Sequence, residues 1–215
     1  MVRPFARLRF LNRLLAAPAL AADGPRMDGW KPFDSRVSFP DLSPSFTLSY
    51  PPSFSCEPET DASGSPSRLR DPFLNFRLYG TGFPLAVQID VFRAPWPQKA
   101  RDAVRRIGQK AYWTSIGESQ SSGRGGRFEG ARTFVANGLA CSELLFSGIP
   151  LPESAGRLAS FGATRSVIAG DWHYVFCSTS IYGAEEAGAR GYAAASNPLY
   201  LDFVKPMFDS ITFRP

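Results

Sequence analysis

FTLSYP (46–51) opens the globular part of this 215-residue chain, and LDFVKPMFDSITF (201–213) closes it. In the first segment Phe46, Leu48 and Tyr50 alternate with polar residues, which is the period of a half-buried strand. The second segment carries an apolar helical stripe and then changes to a short strand pattern. A strand at one end and a helix followed by a strand at the other end indicate an α+β domain.

Three predicted hairpins and one predicted helix lie between these two segments. Each hairpin has a turn rich in glycine or asparagine, and such residues tolerate positive φ. The turns are 80–84 between runs 74–79 and 85–92, Asn137-Gly138 between 132–135 and 140–146, and Gly170-Asp171 between 164–169 and 172–180. The helix begins near Pro97 and ends between residues 113 and 117, because apolar residues recur there at helical spacing. These residues are Ala100, Val104, Ile107 and Ala111.

The chain divides into three parts by composition. Residues 1–22 read as a signal peptide or leader, with an arginine-rich start, an apolar run and small residues at Ala19-Leu20-Ala21. Residues 23–45 are rich in proline and predict an irregular N-terminal arm, which Trp30, Phe33 and Phe39 could anchor to the body. Residues 46–215 then form a single globular α+β domain.

Most of the positive charge belongs to the leader. The chain has 24 basic and 19 acidic residues, a formal net charge of +5. Residues 1–22 contain four arginines and no acid, so 20 basic and 19 acidic residues are left in the rest. This distribution argues against a nucleic-acid partner and favours an exported, periplasmic or extracellular protein. An organellar or cytoplasmic location is the alternative. No segment approaches the ~18 uncharged apolar residues that a membrane-spanning helix needs.

The three cysteines, Cys56, Cys141 and Cys177, leave two alternatives open. In an oxidising compartment one disulfide could form and leave one thiol, and the spacing does not choose among the three pairings. Alternatively, all three are reduced and buried as small apolar side chains. With one histidine and no C-x-x-C motif, the chain predicts neither a metal site nor a cofactor site.

His173 is the only histidine, so any histidine-based catalysis must use it. A cysteine nucleophile could be Cys141 or Cys177. Cys177 lies on the same strand face four residues away, roughly 13 Å at ~3.3 Å per residue, which is too far for a direct hydrogen bond. We therefore predict no catalytic residue and expect a surface or hydrogen-bonded histidine. A hydrolase or transferase with its site near His173 and Cys177 is the alternative.

Five arginines are the candidate partner-binding residues. Arg101, Arg105 and Arg106 form a basic face on the predicted helix, and Arg124 and Arg127 belong to a glycine-rich loop. Such a face could dock an acidic partner or anionic headgroups. It could equally be a solvated helix face that needs no partner.

The order of these elements resembles the PsbP/DcrB-like family. The matching pieces are FTLSYPPSF (46–54), the helix after a strand pair, the two later hairpins and the ending LDFVKPMFDSITF. The sequence departs from the family pattern at Pro206, inside the last helix, and at Phe54, where tryptophan is frequent. The resemblance implies a curved antiparallel β-sheet flanked by helices, an α/β/α sandwich. It carries over no catalytic residue.

The leading hypothesis is therefore a non-enzymatic exported binding or accessory protein of the cell envelope. The resemblance implies this role, because members of that family are mostly exported or organellar accessory proteins. Its partner would be another protein or an envelope component. An intracellular partner-binding protein, such as a secretion accessory or an immunity-type protein, is a further alternative.

Overall fold

The structure is a computed structural model that describes residues 27–40, 42–58, 74–80, 85–93, 96–122, 126–150, 158–183, 197 and 199–214. The strands are β1 Lys31–Asp34, β2 Ser45–Tyr50, β3 Phe54–Pro58, β4 Leu74–Gly80, β5 Leu85–Arg93, β6 Arg127–Ala136, β7 Leu139–Pro150, β8 Leu158–Ala169, β9 Trp172–Gly183 and β10 Thr212–Arg214. The helices are α1 Ser35–Ser38, α2 Trp96–Ile107, α3 Gln109–Ser122 and α4 Lys205–Asp209, the last preceded by a π-helical turn, Tyr200–Val204. The predicted leader, 1–22, lies outside the described residues.

The strands form two antiparallel sheets. The large sheet has seven strands in the order β3-β4-β5-β9-β8-β7-β6, and the small sheet has the order β1-β2-β10. The segments that open and close the globular part pair directly in the small sheet, with Phe46 opposite Phe213. The three predicted hairpins are confirmed: β4 pairs with β5, Ala136 pairs with Leu139, and Ala169 pairs with Trp172.

The large sheet is covered on both faces. On one face Tyr174 and Phe176 pack edge-on against Phe46 of the small sheet, with ring centroids 5.8 and 5.2 Å apart. The C-terminal helical segment completes this layer through buried residues such as Phe208. The other face carries α2 and α3, with Trp113 packed in a second apolar cluster. The predicted α+β fold with a helix-flanked antiparallel sheet is confirmed, and one outer layer also contains the small sheet.

The C-terminal helical segment begins with a side-chain cap. The side-chain oxygen of Asn197 accepts hydrogen bonds from the backbone N–H groups of Leu199 and Tyr200, at 2.9 and 3.4 Å. Pro206 lies in the first turn of α4, directly after the π-helical turn. A proline cannot donate to the preceding turn and its ring crowds that turn's carbonyl, and the wider π turn accommodates both effects.

Two segments are more regular than their composition indicates. The arm at 23–45 contains β1 and α1 instead of being irregular, because β1 pairs with β2 from Lys31 to Asp34. Its predicted anchors Phe33 and Phe39 are buried. The polar region 55–72 is not a loop throughout, since its beginning belongs to β3, an edge strand that pairs with β4.

The predicted single helix is two helices. Gly108 has φ +84°, a left-handed conformation that glycine adopts at little cost, and it ends α2. Its N–H donates to the carbonyl of Val104 at 2.8 Å, and its own carbonyl accepts from Tyr112 at 3.0 Å. Helix α3 then continues to Ser122, into a segment whose composition predicts a flexible loop. Within the described ranges, no helix has the length and apolar character required to cross a membrane.

We expect Phe46→Ala to lower the free energy of unfolding by about 3–5 kcal/mol, because the fully buried ring joins the two sheets. Chemical denaturation followed by circular dichroism measures this change. The matched control is Val37→Ala in α1, where the side chain is 85% exposed and little change is expected. Equal stability of the two variants would contradict this role of Phe46.

Candidate functional site

The predicted basic helix face is present on α2, and it includes more cations than the three arginines. Arg105 and Arg106 are exposed, and Arg101 is half-buried. Lys99 precedes them on α2, and Lys110 follows on α3; both are exposed. We call the surface formed by these five cations and Ile107 the basic corner, because it surrounds the break at Gly108.

The apolar stripe predicted on this helix is largely uncovered. Of its four members only Ala100 is buried, at 4% exposure, while Val104 is half-buried. Ile107 is 54% exposed, and Ala111 is exposed as well. Helical spacing alone therefore misidentifies the core positions here. The reason is the break at Gly108, which ends the helix while Ile107 still lies outside the apolar cluster beneath α3.

One acid lies among the cations of the basic corner. Asp102 accepts a hydrogen bond from the side-chain amide of Gln98 at 2.9 Å. Its distance to Arg105 is 3.8 Å, and both side chains are largely exposed, so water screens this pair. Residues 99–110 contain five basic residues and one acid, so the local charge is strongly positive.

The other two predicted arginines do not join this surface. Arg124 lies outside the described residues. Arg127 is exposed at the beginning of β6, the edge strand of the large sheet, where it pairs with Ser147. Helix α2 contacts β5 and β9, and two strands separate β9 from β6. Arg127 is therefore not part of the basic corner.

His173 is half-buried between aromatic side chains, and within the described part of the chain the expected hydrogen bond is absent at its Nε2 atom. Its ring lies between Phe92, at a centroid distance of 5.9 Å, and Trp113 of α3, at 5.8 Å. Its Nε2 atom is buried and has no hydrogen-bond partner among the described residues. Burial lowers the pKa of His173 to about 4, so the imidazole is neutral at pH 7.

This environment does not support the hydrolase alternative. No carboxylate orients the ring of His173 among the described residues, and the neighbours of the ring are aromatic. Cys177 hydrogen-bonds with the hydroxyl of Thr164 at 3.5 Å. Burial raises the pKa of the Cys141 thiol, which disfavours the nucleophilic thiolate. No disulfide joins Cys56, Cys141 and Cys177; of the three side chains expected to be buried, Cys141 is buried, while Cys56 and Cys177 are half-buried. The described ranges also contain no cluster of metal-ligating side chains.

A buried charged network on the opposite face of the large sheet is absent from the sequence-based predictions. The carboxylate of Glu143 in β7 is fully buried between two arginines of the neighbouring strands. Arg132 of β6 lies 2.8 Å from one of its oxygens, and Nε and Nη2 of Arg165 in β8 donate to the other at 3.0 and 2.8 Å. The hydroxyl of Tyr200 also donates to Glu143, at 2.5 Å.

Arg165 extends this network to the C-terminal helix. Its Nη2 atom donates to Asp209 of α4 at 2.8 Å, and its guanidinium lies 5.0 Å from the ring centre of Phe134 and 5.3 Å from that of Phe208. Burial, and then the hydrogen bond to Glu143, raise the pKa of Tyr200. Burial alone would raise the pKa of Asp209, but hydrogen bonds from Lys205 and Arg165 lower it.

One contact of this network, between Arg132 and Glu143, can be predicted from the sequence. The two-residue turn at Asn137-Gly138 fixes the register of its hairpin, and this register places Arg132 opposite Glu143. Opposite charges directly across two antiparallel strands form a favourable pair. The contributions of Tyr200 and Asp209 depend on how the C-terminal segment crosses the sheet, which no local pattern indicates.

We expect the stability of the protein to fall when the pH decreases from 6.5 toward 4. The folded state holds His173 neutral while the unfolded state protonates it at the ordinary histidine pKa of 6.5, so acid favours unfolding. The loss approaches 1.4 kcal/mol per pH unit and roughly 3 kcal/mol in total. Denaturation midpoints across this range, compared with those of His173→Phe, measure it. An identical pH slope in the variant would refute the assignment.

We expect Glu143→Gln to destabilise the protein by roughly 3 kcal/mol, because it leaves buried Arg165 with Asp209 as its remaining carboxylate. Urea denaturation is the measurement. Asp102→Asn serves as the control, since it removes the acid of an exposed pair and should change stability little. If both substitutions had the same small effect, the network would not stabilise the fold.

Known proteins match this chain in structure but not in sequence. No family profile and no curated protein matches it. The Ran-binding protein Mog1p of Saccharomyces cerevisiae superposes with a TM-score of 0.50 at 12% identity, over 86% of this chain and 95% of Mog1p. Cyanobacterial PsbP (CyanoP) of Synechocystis sp. PCC 6803 superposes with a TM-score of 0.48 at 9% sequence identity, over 92% of this chain and 100% of CyanoP. LpqN of Mycobacterium tuberculosis, which is involved in cell envelope biogenesis, superposes with a TM-score of 0.45 at 13% sequence identity. The match covers 87% of this chain and 93% of LpqN. The likeness to Mog1p establishes the fold, and the predicted resemblance is confirmed: the chain has the PsbP/Mog1/DcrB-like fold.

Proposed function

We propose that this chain is a non-enzymatic binding or accessory protein, exported to the cell envelope, that contacts its partner through the basic corner. The observation that carries the proposal is the concentration of exposed cations around an uncovered apolar side chain. Arg105 and Arg106 are exposed, and Ile107 between them and Gly108 is 54% exposed. A surface that combines positive charge with an exposed apolar residue is suited to binding an acidic partner.

The rest of the globular part supports this assignment through its charge. Outside residues 1–22 the chain has 20 basic and 19 acidic residues, and residues 99–110 contain five of these bases and one of these acids. The remainder therefore has 15 basic and 18 acidic residues and is slightly negative. An acidic partner would be attracted to the basic corner and repelled weakly by the rest, which orients the encounter.

Two further features favour a binding role in the envelope. Residues 1–22 have the composition of an export leader, with four arginines, no acid and small residues before Ala22. Mog1p, which has the same fold, is a Ran-binding protein, so this fold is used for binding a protein. We propose the same general role for this chain, with a partner of its own.

An intracellular binding protein is the second candidate, and one observation favours it. Cys56, Cys141 and Cys177 lie on β3, β7 and β9, which are not neighbours in the large sheet, so the fold uses no disulfide among them, as is usual for proteins of a reducing compartment. The two candidates differ in the mature N-terminus. The intact mass of the protein from its native host separates them, because cleavage after Ala21 or Ala22 would exclude the intracellular candidate.

We expect affinity capture from membranes and lysate of the native host to recover a partner that Arg105→Glu/Arg106→Glu does not retain. The reason is that reversing both charges turns attraction for an acidic surface into repulsion. Quantitative mass spectrometry of the captured material is the measurement. Lys31→Glu/Arg36→Glu is the charge-matched control, because it reverses two exposed charges on the small sheet layer. It also removes the ion pair between Arg36 and Asp34, so its fold is verified together with that of the test variant.

The partner retained by the Arg105/Arg106 variant is compared with the partner retained by the control variant and by the wild type. Loss of the partner in the Arg105/Arg106 variant, with retention in the Lys31/Arg36 variant, supports the basic corner as the contact. Retention in both variants would contradict it. Circular dichroism of each variant verifies that the fold is unchanged.

A further inference from the structure

The end of α2 projects from the body of the protein. Four successive residues, Arg105, Arg106, Ile107 and Gly108, are all exposed. Arg105, Arg106 and Ile107 are the last three residues of α2 and point in directions about 100° apart, while Gly108 has already left the helical conformation. Val104, one position before them, is half-buried. The last turn of α2 is therefore exposed over most of its circumference.

The end of α2 combines one large apolar side chain with several cations. Ile107, a large apolar residue, occupies the last position of α2, and the cations Arg105, Arg106 and Lys110 flank it. Its predicted role is in the core, yet more than half of its surface is exposed. Few large apolar side chains of the described residues share this degree of exposure. They are Met27, Val37, Val135 and Leu201.

We propose that the basic corner docks onto the anionic headgroup layer of a lipid bilayer, with Ile107 inserted between the headgroups. This inference rests on the proposed function and names the partner of the same surface. Peripheral proteins bind anionic membranes by combining cations at the surface with apolar side chains in the interface. Here a projecting apolar residue within a group of cations provides both contributions on one short segment.

The composition of the basic corner favours a membrane over an acidic protein. Stable protein interfaces bury about 800 Å² on each partner, and their desolvated cores are depleted of charge. The basic corner has five cations and a single large exposed apolar residue, so it offers little surface for such a core. At a headgroup layer the cations keep their water while they attract the negative surface. The slightly negative remainder of the protein keeps the other surfaces away from the bilayer.

The expected size of the effect follows from the charges. Each lysine or arginine near an anionic membrane contributes about 1 kcal/mol, which corresponds to roughly five-fold in affinity. Reversal of Arg105 and Arg106 should therefore weaken binding roughly 25-fold or more. Loss of the apolar contact in Ile107→Ser should weaken it roughly five-fold. High salt should weaken the binding of the wild type as well, because salt screens the attraction.

Co-sedimentation with vesicles tests this inference. The purified chain without residues 1–22 and the full chain are each mixed with phosphatidylcholine vesicles that contain or lack about 30% phosphatidylglycerol, an anionic lipid. Arg105→Glu/Arg106→Glu is compared with Lys31→Glu/Arg36→Glu, which has the same change in charge. Ile107→Ser is compared with Val37→Ser, which removes an apolar side chain that is 85% exposed on α1.

The proposal predicts binding to the anionic vesicles alone, weakened in the two basic-corner variants and unchanged in the two controls. It is overturned if the protein does not bind anionic vesicles at low salt, or if each basic-corner variant binds them with the same affinity as its control. Capture of a protein partner that requires Arg105 and Arg106, without vesicle binding, overturns the lipid assignment and leaves the proposed binding function intact. Vesicle binding without a captured protein supports the lipid assignment.

Discussion

The buried carboxylate of Glu143 is the constraint on which much of this architecture depends. A charge without water is costly unless oppositely charged and hydrogen-bonding groups surround it. Arg132, Arg165 and Tyr200 meet this requirement, and they come from three different parts of the chain. The requirement fixes the relative positions of β6, β7 and β8, and it also fixes where the C-terminal helical segment lies on the sheet. A shift of any of these elements by one residue would leave a buried charge unpaired.

The position of the C-terminal segment determines the layer on that side of the sheet. Asp209, held by Arg165, lies at the end of α4, and β10 follows directly to pair with β2. The small sheet then covers Tyr174 and Phe176 through Phe46. The opposite face has no comparable polar network in the described residues. There α3 packs through Trp113 and its neighbours, while the buried residues of α2 are Pro97 and Ala100, near its beginning, and its last turn is exposed. The protein thus has one tightly determined layer and one layer with accessible surface.

The sequence predicts those features that local chemistry specifies. The Asn137-Gly138 turn determines a hairpin, and Asn197 next to Pro198 determines the start of a helix. The break at Gly108 escapes prediction, because a glycine inside an apolar helical pattern is compatible with a continuous helix. The exposure of Ile107 and the enclosure of His173 depend on how α2 and α3 meet the sheet, and helical spacing carries no such information. The arginines of α2 are evident from the sequence, whereas the exposure of Ile107 among them is not.

The pairing of β2 with β10 also has a consequence for the time at which this protein folds. Thr47 pairs with Thr212, so the small sheet cannot be completed until nearly all of the globular part has been synthesised. Contacts between distant parts of a chain are slow to form, because loop closure has an entropic cost. Until then Phe46 has no neighbour in β10, and the layer over Tyr174 and Phe176 is incomplete. The last strand of the globular part to be synthesised therefore completes the apolar layer that begins with β2.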